Sequence, residues 1–138
     1  MATGTAGDVG REYHTHQVHY LRKYFTYADA GTTFTMGTLP PGAAVIDAGV
    51  VVATVFNAGT NNRIDIGTED DTDDFATDLS LLTKGRIVAD EMATADNLYS
   101  TSAKLVKLVV DVTGTAATTG VAIAYVAYIV AEGAVGSS

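Results

Sequence analysis

Residues 103 to 114 read AKLVKLVVDVTG, and no other stretch narrows the possible folds as far. Val106, Leu108 and Val110 fall on one side of an extended chain, and Leu105, Lys107 and Val109 on the other. That period of two is the signature of a strand. Similar runs recur along the chain, rich in Val, Ile, Thr, Tyr and Phe and separated by Gly, Asn, Asp and Thr.

The pattern predicts strands over 12 to 27 (one long or two broken), 32 to 36, 44 to 57, 63 to 68, 85 to 92, 103 to 114 and 121 to 131. Within 63 to 68, Ile64 and Ile66 face one way and Arg63 and Asp65 the other. LPPG at 39 to 42 reads as a turn, because Pro fixes φ and removes a ladder donor. NAGTNN at 57 to 62 reads as a hairpin turn, and Gly49 as a bulge. One segment breaks the pattern. In DDFATDLSLL (73 to 82), Phe75, Leu79 and Leu82 recur at i, i+4 and i+7 behind Asp73 and Asp74, which predicts a short helix. About eight strands at this spacing predict an all-β protein, a β-sandwich with one short helix. Residues 13 to 131 form its single domain, flanked by an N-terminal arm at 1 to 12 and a C-terminal tail at 132 to 138.

A chain of 138 residues with 47% apolar content can bury a core of its own. It has no Cys, which excludes disulfides, zinc–thiolate sites and thiol nucleophiles. The net charge is −8 and the eight basic residues are scattered, which argues against nucleic acid as a partner. The acidic balance suits a particle surface in water, or a partner of positive charge. No signal peptide is evident at Met1 to Gly10. The longest apolar run, VAIAYVAYIVA (121 to 131), is far short of the roughly 20 residues of a membrane helix, so no membrane partner is expected.

Two clusters invite a chemical reading. Glu69 to Asp74 holds five carboxylates in six positions. Calcium prefers six to eight oxygen ligands, but the order here does not match an EF-hand loop. The competing reading is a solvated turn whose Asp73 and Asp74 cap a helix. The second cluster is HTHQVH. On a strand His14 and His16 share a face and His19 lies opposite, so the pair would need a third metal ligand from elsewhere. The rings around them favour a contact between subunits, made by Tyr13, His14, His16, Tyr20, Tyr24, Phe25 and Tyr27. No G-x-S-x-G, Walker A, G-x-G-x-x-G or Cys/His zinc pattern occurs, so no catalytic residue, metal or cofactor is assigned.

The segment TMGTLPPGAAVIDAGVVVATVFNAGTNNRIDIGTEDDTDDFATDLSLLTKGR resembles small structural proteins of tailed bacteriophages, of the capsid decoration or cement kind. The shared pattern is G-x-LP-x-GA-x-V, here Gly37, Leu39, Pro40, Gly42, Ala43 and Val45, then a β-branched strand ending at Phe56-Asn57. Ile64 to Thr68 and an acidic loop running into Phe75-Ala76 follow, with a closing Val/Tyr-rich strand at 121 to 130. The likeness covers residues 35 to 86 and the last strand; EYHTHQVHYLRKYF lies outside it. The resemblance implies a jelly-roll β-sandwich, not an enzyme, that binds the outer surface of the virion capsid. Its implied partners are the major capsid protein and itself, as a homodimer or homotrimer. The IDIGT–acidic segment then reads as a strand and an outer loop. Two other readings stay open: a jelly-roll module of a head fibre or tail that binds carbohydrate or a host surface, and a cupin-like metal enzyme using His14, His16 and an acidic residue.

Overall fold

A computed structural model describes residues 17–130. The expected arm at 1 to 12, the tail at 132 to 138, and Tyr13, His14 and His16 lie outside the described residues. Eight strands follow one another: β1 His19–Thr26, β2 Thr33–Leu39, β3 Ala43–Thr54, β4 Asn61–Thr68, β5 Ala76–Ser80, β6 Gly85–Val88, β7 Lys104–Thr113 and β8 Val121–Val130. Among the described residues the one helical element is a 3-10 turn at Tyr27–Asp29 between β1 and β2. Thr26 caps it, accepting from the Ala28 amide at 3.2 Å, while Asp29 accepts from the Thr26 amide at 2.9 Å.

The strands form two four-stranded sheets, in the orders β1-β8-β3-β6 and β2-β7-β4-β5. Every ladder is antiparallel. The pairing of first with eighth, second with seventh, third with sixth and fourth with fifth is that of one long ribbon folded over itself. That is the jelly roll. In the β1–β8 ladder His19 lies opposite Tyr128 and Thr26 opposite Val121.

Period-two burial sorts the residues between core and water. Val106, Leu108 and Val110 of β7, Ile64 and Ile66 of β4, and Ala122, Ala124 and Val126 of β8 are all fully buried. Phe25, Phe56 and Phe75 fill the space between the sheets, with the Phe25 and Phe56 rings 5.7 Å apart at 37°. Such interdigitated inner faces are what a two-sheet sandwich buries.

Three local expectations are corrected. Residues 73 to 82 hold no helix: β5 runs through Ala76–Ser80. Its ladder pairs Leu79 with Ile64 but Ala76 with Ile66, so the register slips around Thr77 and Asp78. Asp78 takes a φ of 55° at this point. The slip puts Ala76 and Leu79, three apart, on the same buried face and so imitates a helical period. Residues 57 to 62 do not close a hairpin, because β3 and β4 belong to different sheets. Asn57 ties this crossover to the β7–β8 loop, its Oδ1 accepting from the Thr118 and Thr119 amides at 2.8 and 3.1 Å. The bulges of β3 lie between Val45 and Asp47 and between Val52 and Thr54, not at Gly49.

Candidate functional site on the solvent-facing side of the first sheet

Alternation decides which β1 side chains reach solvent. Tyr20 and Tyr24 are 63% and 59% exposed, and Arg22 between them is exposed too. Phe25 takes the other side and is 0% exposed. It is therefore a core residue rather than a surface anchor, and this corrects the expected set of contact rings. Tyr27, on the 3-10 turn, is 42% exposed. Lys23 also leaves the tyrosine face: its Nζ sits 4.4 Å over the Phe34 ring at the edge of the sandwich. His19 stacks on Tyr128 at 5.3 Å.

Registers then carry the tyrosine face across the sheet. Arg22 lies opposite Tyr125, and Tyr125 opposite Gly49. Tyr24 lies opposite Ile123, Ile123 opposite Val51, and Val51 opposite Arg86. The rows enclose a groove of about 430 Å³. Tyr20, Val51, Ile123 and Tyr125 supply its apolar surface, and Arg22, Asp47 and Arg86 its charge.

Arg86 is held in place by two bonds: its Nε donates to the Tyr125 hydroxyl at 2.6 Å and its Nη2 to Asp47 Oδ2 at 2.7 Å. The hydrogen bond it donates to Tyr125 holds the Arg86 guanidinium above its ordinary pKa. Burial pushes the Tyr125 phenol up, against the pull of Arg86. Gly49 makes this packing possible, since a Cβ there would lie 2.7 Å from the Tyr125 hydroxyl oxygen and 2.5 Å from the Ile87 carbonyl. Sequence reasoning found Tyr20 and missed the rest of the groove, which is drawn from four strands.

The acidic loop has structural employment. Glu69 Oε1 accepts from the Leu105 amide at 2.7 Å, and Asp70 Oδ2 pairs with Lys104 Nζ at 2.5 Å. Asp74, 8% exposed, accepts from the Asp96 and Asn97 amides at 3.1 and 2.8 Å. It pins the β6–β7 loop instead of capping a helix. A hydrogen bond to Asp71 raises the pKa of Asp73. The loop folds back so closely that a Cβ on Gly67 would strike the backbone of Asp71 and Thr72. Among the described residues no three His, Asp or Glu side chains gather as a metal-binding group.

On the far side of the sandwich, Arg63 is the hub of an acidic patch. Its Nε lies 2.8 Å from Asp111 Oδ2 and 3.1 Å from Asp78 Oδ1. The bond to Asp111 raises the Arg63 pKa. Asp65 Oδ1 accepts from the Asp78 amide at 2.8 Å, and burial pushes the Asp65 carboxyl above its ordinary value. The two outer faces thus differ in character: aromatic and locally cationic on the first sheet, acidic on the second.

No protein-family model and no curated protein matches the chain. Solved structures do resemble it. A chain in the capsid of Ralstonia phage GP4 superposes with a TM-score of 0.60 at 18% identity, over 86% of this chain and 86% of that one. A chain in the acidic stable capsid structure of Helicobacter pylori bacteriophage KHP30 gives 0.57 at 19% identity, over 83% and 89%. A chain in the cyanophage Pam1 capsid asymmetric unit gives 0.54 at 17% identity, over 81% and 82%. At these identities the likeness is one of fold.

Proposed function

We propose that this chain is a non-enzymatic structural protein of a phage virion, which binds the outside of the capsid shell and ties neighbouring shell subunits together. The observation that carries the reading is the jelly roll, shared over more than four-fifths of the chain with chains of three phage capsids. A fold alone does not give a function, but the surface agrees with it. Tyr20, Tyr24, Val51 and Val88 stand exposed on one sheet face. Rigid amphipathic rings of this kind are typical contact groups.

The energetics of reinforcement ask little of each contact. A protein that binds only the assembled shell stabilises it by mass action. Symmetric copies, as dimers or trimers, raise apparent affinity further by linkage. The major capsid protein is the partner in this reading, with Tyr20, Tyr24 and Tyr27 in the contact.

Co-sedimentation with purified shells tests it, together with the copy number per virion. Hundreds of copies and shells that melt at lower temperature without the protein are expected. Particles that lack the polypeptide, or carry only a few copies, would sink the reading. One observation favours a second reading, a glycan-binding module: exposed Tyr20 flanks Arg22 and Asp47. Binding of the isolated protein to a glycan array would support that reading instead.

A further inference from the structure

The chain has 16 acidic residues and eight basic ones, yet the groove on the first sheet gathers two guanidinium groups and one carboxylate. The charges are not equivalent. Arg86 is answered within the fold by Asp47 and the Tyr125 hydroxyl. Arg22 forms no ion pair with any described residue. It projects from β1 opposite Tyr125 and beside Tyr20 on the same strand face, lining the groove together with the apolar Val51 and Ile123.

That combination selects the occupant. A cationic segment would be repelled by Arg22 and Arg86. A wholly apolar one would strip water from Arg22 and give nothing back, which is costly for a charge. A carboxylate flanked by apolar groups satisfies both the cation and the walls, and a guanidinium is well shaped to grip it through two parallel bonds. Four strands at about 4.8 Å spacing make the face about 14 Å across, room for about four residues of extended chain.

We infer that the groove docks an extended, carboxylate-bearing segment of the shell subunit, with Arg22 as its counter-charge. This rests on the shell-binding reading above and names the chemistry of the contact. It also reverses, at one place on the surface, the sign of partner that the net charge alone would suggest.

The test compares wild-type protein with Arg22→Glu and Lys107→Glu in co-sedimentation with purified shells at two salt concentrations. Lys107 projects from the second sheet, where its Nζ donates to the Thr35 hydroxyl at 2.7 Å, so the two variants carry the same change of net charge on opposite faces. Thermal melting confirms that both fold. Arg22→Glu is expected to weaken shell binding by roughly tenfold or more, as befits the loss of a charge-assisted bond. Lys107→Glu should bind as wild type does, and added salt should narrow the gap between the two variants. Arg22→Glu that binds like wild type, or no worse than Lys107→Glu, would overturn the groove assignment and leave shell binding intact. An altered oligomeric state of the shell-free Arg22→Glu protein would give the groove to a second copy, and a lost glycan interaction would give it to a sugar; either overturns the inference. Wild-type protein that fails to sediment with shells would overturn both it and the shell-binding reading.

Discussion

Tyr24 and Phe25 are neighbours on β1, and the structure gives them opposite fates. Replacing each by Ala should therefore give opposite results. Phe25 is fully buried, and its ring tilts against that of Phe56 at 5.7 Å. A buried Phe removes about 150–250 Å² from water. Loss of most of that area, at about 25 cal/mol per Å², amounts to about 3 kcal/mol. The Phe25–Phe56 ring pair contributes roughly 0.5–1.5 kcal/mol beyond area. The sum, about 4 kcal/mol, falls inside the range of about 3–5 kcal/mol for Phe→Ala in packed cores. Total stability of a domain is only about 5–15 kcal/mol. Phe25→Ala should thus lower the melting temperature by about 10–20 °C, given about 2–4 °C per kcal/mol at somewhat larger sizes and more for smaller domains. Tyr24, at 59% exposure, sits where substitutions stay within about 0.5 kcal/mol. Far-UV circular dichroism followed through heat and urea denaturation reads both variants. If Tyr24→Ala destabilised as much as Phe25→Ala, or Phe25→Ala cost less than about 1 kcal/mol, the register of β1 against β8 would be wrong, and with it the outward face on which the groove is built.

Two more substitutions probe the acidic residues. Asp74→Ala leaves the Asp96 and Asn97 amides without their acceptor, at a cost of about 2 kcal/mol; hydrogen exchange should quicken at those two amides, and unchanged protection would count against the staple. Asp65 is a test by pH. Burial raises its carboxyl above the ordinary 3.8, so the folded chain holds this proton more tightly than the unfolded one. The native state then loses stability as pH rises from the ordinary value through the raised one, and the loss is complete above it. The advantage of Asp65→Asn over wild type, read as urea midpoints, should grow across that window and then level off; a difference flat with pH would refute the burial argument.

What could be read from the sequence was what depends on neighbours along the chain. The alternation at Ile64 and Ile66, and at Val106, Leu108 and Val110, named the buried side of β4 and β7 because strand burial has a fixed period. The Pro-Pro-Gly turn and the closing strand were legible for similar local reasons. The segment 73 to 82 misled because the register slip at Thr77 and Asp78 inserts one extra residue into a strand, and Ala76 to Leu79 then copies a helical spacing. Ring content alone places Phe25 with the exposed tyrosines; the strand period, which puts it on the opposite side from Tyr24, separates them. The groove was out of reach for a different reason. Arg22, Asp47, Arg86 and Tyr125 meet only through the ladders β1–β8, β8–β3 and β3–β6, and register between distant strands is set by the whole core.

The β1–β8 ladder also fixes how this domain would respond to tension. His19 opposes Tyr128, so β1 begins and β8 finishes at the same corner. A force drawn through those two ends would part the ladder like a zip, one rung after another, instead of straining all rungs at once. A domain connected that way resists little when tugged by its ends. Anything it braces should be gripped through the broad flanks of its sheets.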